Sequence, residues 1–258
     1  MKHDILRVAD AALYYEVRGE GPLLVLVGAP MGTRFFAPLA DLLAADHTVL
    51  TTDPRGIGAS TLDVPESGST PERRADDLAR LIAHVDAGPA AVLGSSGGAV
   101  TALALAQRHP GAAHTVIAHE LPLNEVLEDR AERHAAVEDI IATYESGDVA
   151  GAWKKFMVNA GVPGEPPAGP NPDERFWFCH EMRGTTRFRP DVAALRDGGA
   201  RILVALGEES AGQLLDRTSR AMAALLGGEP VPFPGGHIAF VMDPPGFAAR
   251  LREVLGAV

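Results

Sequence analysis

Residues 87–107, AGPAAVLGSSGGAVTALALAQ, carry no charged side chain. A stretch of that length invites a membrane-spanning reading. Pro89 and the glycine cluster argue against it, and Ala and Gly dominate where Leu and Ile would be expected. The stretch reads instead as a buried strand, a tight turn and a buried helix. The turn, GSSGG at 94–98, has the form G-x-S-x-G with Ser96 at its centre. A strand that passes directly into a helix through so sharp a turn forces its central residue into a strained conformation. The side chain then stands clear at the carboxyl edge of the sheet. Bulkier residues two positions to either side would clash, which accounts for Gly94 and Gly98. A bare G-x-S-x-G is a weak pattern, and its flanking strand and helix are the context that supports it. The competing reading is a phosphate-binding turn, but neither G-x-x-x-x-G-K-[ST] nor G-x-G-x-x-G occurs.

The rest of the chain supplies a matching frame. Two alternating segments, 3–8 and 11–18, predict an antiparallel hairpin. LLVLV (23–27) is a continuous apolar run of the kind buried on both faces of a parallel sheet. A helix over about 35–45, a strand over 48–52 and a helix over 71–86 follow, the last with Pro71 in its first turn. After the glycine turn come a helix to about His109 and a strand over 114–119. The alternation resumes with strand 201–206, helix 211–226, strand 229–233 and helix 245–256. Strands alternating with helices predict an α/β fold, a mainly parallel twisted sheet with helices on both faces.

Residues 121–197 interrupt this pattern. They begin with a charged helical stretch, pass through the Gly/Pro-dense loop GVPGEPPAGPNPDE and continue into RFWFCHEMRGTTRF. The segment holds both tryptophans and half of the aromatic residues of the chain. The expected organisation is therefore a core of 1–120 and 198–258 with a helical lid at 121–197. Trp153, Phe156, Met157, Trp177 and Phe178 are its candidate substrate-binding residues, since ligand pockets are lined by apolar and aromatic side chains. The alternative is a helical hairpin whose aromatics bury only its own small core.

A net charge of −11 at pH 7 and the lack of a basic stripe argue against nucleic acid. The lone Cys179 excludes an internal disulfide framework, and the N-terminus MKHDILRVAD lacks the apolar run of a signal peptide. The expectation is a cytoplasmic protein without membrane attachment, with a homodimer as a candidate assembly.

Serine needs a base to take its proton and donors to receive the developing oxyanion. His237, in PGGHIAF after the last strand, is the expected base, with His119 and His180 as runners-up. No histidine shows zinc-ligand spacing, and neither metal nor cofactor is expected. The Gly97 amide, at the start of the helix after Ser96, is one expected oxyanion donor. The loop VGAPMG (27–32) supplies the other. Pro30 has no N–H, so Ala29 is the candidate and Met31 the reserve.

Four motifs in order, VGAPMG, DPRGIGAST (53–61), GSSGGA and PGGHIAF, resemble those of capped α/β-hydrolases, in particular actinobacterial members of undefined substrate. Asp53 and Arg55 are expected to form a structural ion pair in the second motif. The resemblance also locates a departure. The triad acid commonly follows strand 201–206 as G-x-x-D, and here Ser210 occupies that place. Some relatives, haloalkane dehalogenases among them, carry the acid one strand earlier, where Glu120 stands. Glu120 is therefore the expected acid, with Glu209 and Glu208 in reserve.

Serine rather than aspartate at the elbow disfavours dehalogenase and epoxide hydrolase chemistry. What remains is a carboxylic ester hydrolase-like enzyme acting on an ester, thioester or lactone with an apolar acyl part. Acyl transfer and carbon–carbon bond hydrolysis use the same constellation. The competing class is a ligand-binding protein with vestigial catalysis, suggested by the missing acid at the usual place.

Overall fold

The computed structural model describes residues 1–65, 67–162, 165, 166, 169 and 171–256. Strands β1 (Lys2–Arg7) and β2 (Ala11–Arg18) form the N-terminal antiparallel hairpin. Strands β3 (Leu23–Val27), β4 (Thr48–Thr52), a two-residue β5 (Thr61–Leu62), β6 (Ala90–Ser95), β7 (Ala113–His119), β8 (Arg201–Gly207) and β9 (Val231–Phe233) complete the sheet. Its order among the described residues is β1-β2-β4-β3-β6-β7-β8-β9, with β5 beside β2. Pairing is parallel from β4 through β9.

Helices α1 (Thr33–Leu43), α2 (Pro71–Val85) and α3 (Gly97–Arg108) connect the first parallel strands. The insertion after β7 contains α4 (Arg130–Glu145), α5 (Val149–Ala160), α6 (Glu174–Phe176), a π-helical turn at Trp177–Glu181, α7 (Met182–Thr186) and α8 (Val192–Asp197). Helices α9 (Leu214–Leu226), α10 (Ala239–Met242) and α11 (Pro244–Gly256) finish the chain. The alternation expected from the sequence is thus present, with boundaries displaced by up to three residues. The two short elements β5 and α10 had no sequence signal of their own. Part of the Gly/Pro-dense loop lies outside the described residues.

One apolar cluster joins the sheet to α2, α3 and α9, and a second joins the opposite face to α1, α10 and α11. LLVLV is buried at every position because both clusters draw on it. Helix α2 begins where Thr70 accepts a hydrogen bond from the Arg73 amide and Pro71 needs no partner for its nitrogen. No described helix is long and apolar enough to cross a membrane.

The turn after β4 corrects one expectation, because Asp53 and Arg55 do not pair. Buried Asp53 accepts from Thr33 N–H at 2.7 Å and from Ala59 N–H at 2.9 Å. The Arg55 guanidinium instead donates to Asp77 at 2.7 and 2.9 Å and to Asp10 at 3.0 Å. Asp53 and Arg55, two positions apart across Pro54, extend in different directions, so each finds its partners in different neighbouring segments.

The glycines of GSSGG are required by close approach. A Cβ on Gly94 would stand 2.2 Å from Gly98 O, and one on Gly98 would stand 2.1 Å from Val27 O. Neither obstacle is a side chain that can swing away. Gly98→Ala is expected to destabilise the fold by at least about 2 kcal/mol in urea unfolding, an overpacking cost borne by backbone. Gly228→Ala, with nothing within 4 Å of the added carbon, should change stability by less than about 0.5 kcal/mol.

Candidate active site

Among the described non-glycine residues only Asp86, Ser96 and Glu120 have positive φ. The last two follow the ends of neighbouring parallel strands. Ser96, at φ 57° and ψ −126°, is the pivot between β6 and α3. Its N–H donates to His119 O at 3.0 Å, which fastens the turn to β7. Backbone strain of this kind persists only where the surroundings hold it in place. The two serines diverge. Ser95 is fully buried, with its Oγ 3.0 Å from His119 Nδ1, whereas Ser96 lines a cavity together with His237.

Glu120, at φ 49°, has no exposed surface. Its Oε2 lies 2.9 Å from His237 Nδ1. Its Oε1 accepts from Gly207 N–H at 2.9 Å and from the Ser210 hydroxyl. Burial alone would push this carboxyl upward. The hydrogen bond to His237 and the charge interactions with His119 and His237, joined by the bond from Ser210, outweigh burial and bring it down to about 2. The carboxylate is therefore ionised at neutral pH and fixes the tautomer in which His237 Nδ1 carries the proton, leaving Nε2 free to accept one. Glu208 and Glu209, the reserve acids, are exposed at the end of β8 and neither accepts from His237. Ser210, which sequence reasoning recorded only as a missing acid, is a buried hydroxyl holding the carboxylate that stands in its place.

The expected oxyanion donors flank Ser96. An added Cβ on Gly97 would lie 2.6 Å from Ala29 O, so the β3 loop and the start of α3 are in contact. The amides of Ala29, Met31 and Gly97 donate to no backbone or side-chain acceptor among the described residues. Gly97 and Ala29 line the inner cavity with Ser96, and Met31 lines an outer one.

Two cavities meet at Ser96 and His237. The inner one leaves about 50 Å³ of room for the centres of water-sized groups, the outer one about 440 Å³. Phe156 and Trp177 border both, and Trp153 borders the outer one. Phe178 and Met157 correct the expected set. Phe178 is fully buried against Tyr144, ring centroids 4.7 Å apart, and Met157 is buried away from both cavities. The aromatic segment thus does two jobs: part of it builds the core of the insertion, with Trp177, Phe178, Ile140 and Ile141, and part faces the site. Periodicity does not separate these roles, because the π-helical turn shifts the facing of successive residues.

His180 is half-buried against Phe176, ring centroids 5.6 Å apart, and lines neither cavity. His119 lies behind the turn, fully buried and edge-on to Phe247 at 5.3 Å. Burial holds its imidazole down at about 4, against the pull of the Glu120 charge. Arg183 and Arg187 pair with Glu138 at the surface, and Arg189 pairs with Glu125. Among the described residues no group of three or more His, Cys, Asp or Glu is arranged to hold a metal ion.

Residues 23–250 match the alpha/beta hydrolase family. The chain is similar to the uncharacterized hydrolase YraK of Bacillus subtilis (strain 168), 32% identical over 97% of this chain and 94% of the relative. It superposes on a hydrolase from Pseudomonas aeruginosa PA01 with a TM-score of 0.71 at 23% identity, covering 99% of this chain and 98% of the other. A thermophilic esterase from Thermogutta terrifontis, solved with malate bound, gives a TM-score of 0.70 at 20% identity, again covering 99% and 98%.

The depressed imidazole of His119 has a consequence for stability. Its folded value of about 4 lies below the ordinary histidine value of 6.5, so between those limits the unfolded chain binds the extra proton. Stability therefore rises with pH across that window and is lost as pH falls from about 6.5 toward 4. Urea unfolding at pH 7 and pH 4.5 should show this loss, and His119→Gln should reduce it.

Proposed function

The chain belongs to the alpha/beta hydrolase family, and we propose that it hydrolyses an ester, thioester or lactone with an apolar acyl part through an acyl-enzyme on Ser96. The observation that carries this reading is the 2.9 Å contact between buried Glu120 and His237 Nδ1, with Ser96 and His237 facing one cavity.

His237 Nε2 takes the Ser96 proton as Oγ bonds to the scissile carbonyl carbon, and the carbonyl π electrons move onto oxygen. The amides of Gly97 and Ala29, with Met31 in reserve, receive that oxyanion, assisted by the N-terminal end of α3. As the carbonyl re-forms, the bond to the leaving group breaks and His237 returns its proton to the departing alcohol or thiol. Water then attacks the acyl-enzyme by the same route, releasing the acid and restoring Ser96. Glu120 holds the imidazole in the required tautomer and offsets the imidazolium charge.

Phe156, Trp177, Val137 and Met182 give the inner cavity its apolar wall, which supports an apolar acyl part. Acyl transfer or carbon–carbon hydrolysis would use the same groups and differ in the acceptor or bond. The Glu120–His237 contact supports catalysis over a binding role, because it gives His237 a carboxylate although Ser210 stands in the usual acid position.

Turnover of p-nitrophenyl butyrate that disappears in Ser96→Ala would support the proposal. A serine-directed fluorophosphonate is expected to label Ser96 and not the buried Ser95. Peptide mapping that found the label on Ser95, or none on active protein, would overturn the assignment. Glu120→Gln should lower kcat at least about 100-fold, since amide replacement of a triad acid can cost on the order of 10⁴. Glu208→Gln and Glu209→Gln should each cost less than about tenfold.

A further inference from the structure

Asn124 lines the inner cavity and is 1% exposed, yet neither its Oδ1 nor its Nδ2 has a hydrogen-bond partner among the described residues. A carboxamide carries two donors and an acceptor with two lone pairs, and buried polar groups are overwhelmingly paired. Both threonines of the cavity wall are engaged. Thr185 Oγ1 accepts from Arg74 Nη2 at 2.9 Å, and Thr186 Oγ1 donates to Met182 O at 3.1 Å. Glu181 faces Arg74 with 3.6 Å between carboxylate and guanidinium, while Asn159 is only half-buried. Glu181 Oε2 also lacks a hydrogen bond but has the Arg74 charge beside it, whereas the neutral Asn124 has both ends of its carboxamide unbonded and no charged partner.

We infer that Asn124 selects a short acyl group bearing a hydroxyl, an inference that rests on the reading of Ser96 as nucleophile. The chemistry of the wall narrows the ligand. Arg74 and Glu181 offset each other and Asn124 is neutral, so the cavity favours an uncharged group. A hydroxyl satisfies both halves of the carboxamide with one atom, accepting from Nδ2–H and donating to Oδ1. The scissile carbonyl is not that group, because its oxygen has the Ala29 and Gly97 amides. The inner cavity's room of about 50 Å³ is small beside the 440 Å³ of the outer cavity, which favours a short chain. The acyl part stays bound while the leaving group must depart before water attacks. The confined inner cavity therefore suits the acyl part, and the wider outer one suits the leaving group.

The test compares p-nitrophenyl butyrate with its 2-hydroxy and 3-hydroxy counterparts. In the wild type one hydroxylated ester should exceed butyrate by at least about tenfold in kcat/KM, since a site built to bond a hydroxyl discriminates against the analogue lacking it. In Asn124→Leu that ratio should fall at least about fivefold. Intrinsic differences in ester reactivity cancel between the two proteins. Equal or better turnover of butyrate by the wild type overturns the inference, as does an unchanged ratio in the variant. A water held permanently on Asn124 would give the first of these results. If no ester is turned over, the serine-hydrolase reading fails on its own account. Calorimetric binding of ethyl 3-hydroxybutyrate, ethyl 2-hydroxybutyrate and ethyl butyrate to Ser96→Ala then decides the matter. Tighter binding of a hydroxylated ester supports the inference, and absence of any preference overturns it. This binding comparison is free of ester reactivity and stands even if Asn124→Leu does not fold.

Discussion

Glu120 is a fully buried anion at the end of a central strand, and much of the site geometry follows from keeping it satisfied. An unpaired buried carboxylate is strongly unfavourable, and pairing compensates only when the remaining lone pairs are also bonded. Here His237, the Gly207 amide and the Ser210 hydroxyl meet those needs from three positions. Each lies in a segment after β7, so the carboxylate ties the ends of β7 and β8 to the loop after β9. The charge that orients His237 is thus also a fastening between neighbouring strand ends.

The elements legible in the sequence were those governed by local rules. LLVLV announced its burial on both faces, and Gly94 and Gly98 marked a turn whose backbone contacts leave no space for Cβ atoms. Ser96, His237 and Glu120 could be named because each stands at a strand end or in the turn beyond one. Other features depended on contacts distant in sequence. The separate partners of Asp53 and Arg55 lie in α1, α2 and the β1–β2 turn. The idle carboxamide of Asn124 is defined by what does not reach it, which no local pattern records. The aromatics of the insertion fell between these cases, since their abundance was visible but the facing of Phe178 was not.

The insertion is attached to the core by polar as well as apolar contacts. Arg74 of α2 is buried and donates to Thr101 of α3, to Ser69 and to Thr185 of α7, with Glu181 nearby. Burial drives the Glu181 carboxyl upward while Arg74 pulls it down. An arginine is suited to such a junction because its planar fork reaches several acceptors at once. The π-helical turn ends at Glu181, so the irregular stretch that aims Trp177 at the site is anchored by this network at its C-terminal end.

The position of Glu120 follows from register. Ser95 pairs with His119 across β6 and β7, and His119 pairs with Ala205 across β7 and β8. The next residues, Ser96 and Glu120, therefore leave the sheet at one level, and the Ser95–His119 side-chain contact secures that level from behind. A one-residue slip in β7 would turn every side chain of the strand to the opposite face. Ser210 then completes the arrangement in a way an aspartate would not. A carboxylate at 210 would stand against Glu120, and two adjacent carboxylates resist being ionised together, so one would be driven to take up a proton. With the Glu120 carboxylate just beyond β7, the end of β8 has to offer a donor, and a buried hydroxyl provides one without adding charge.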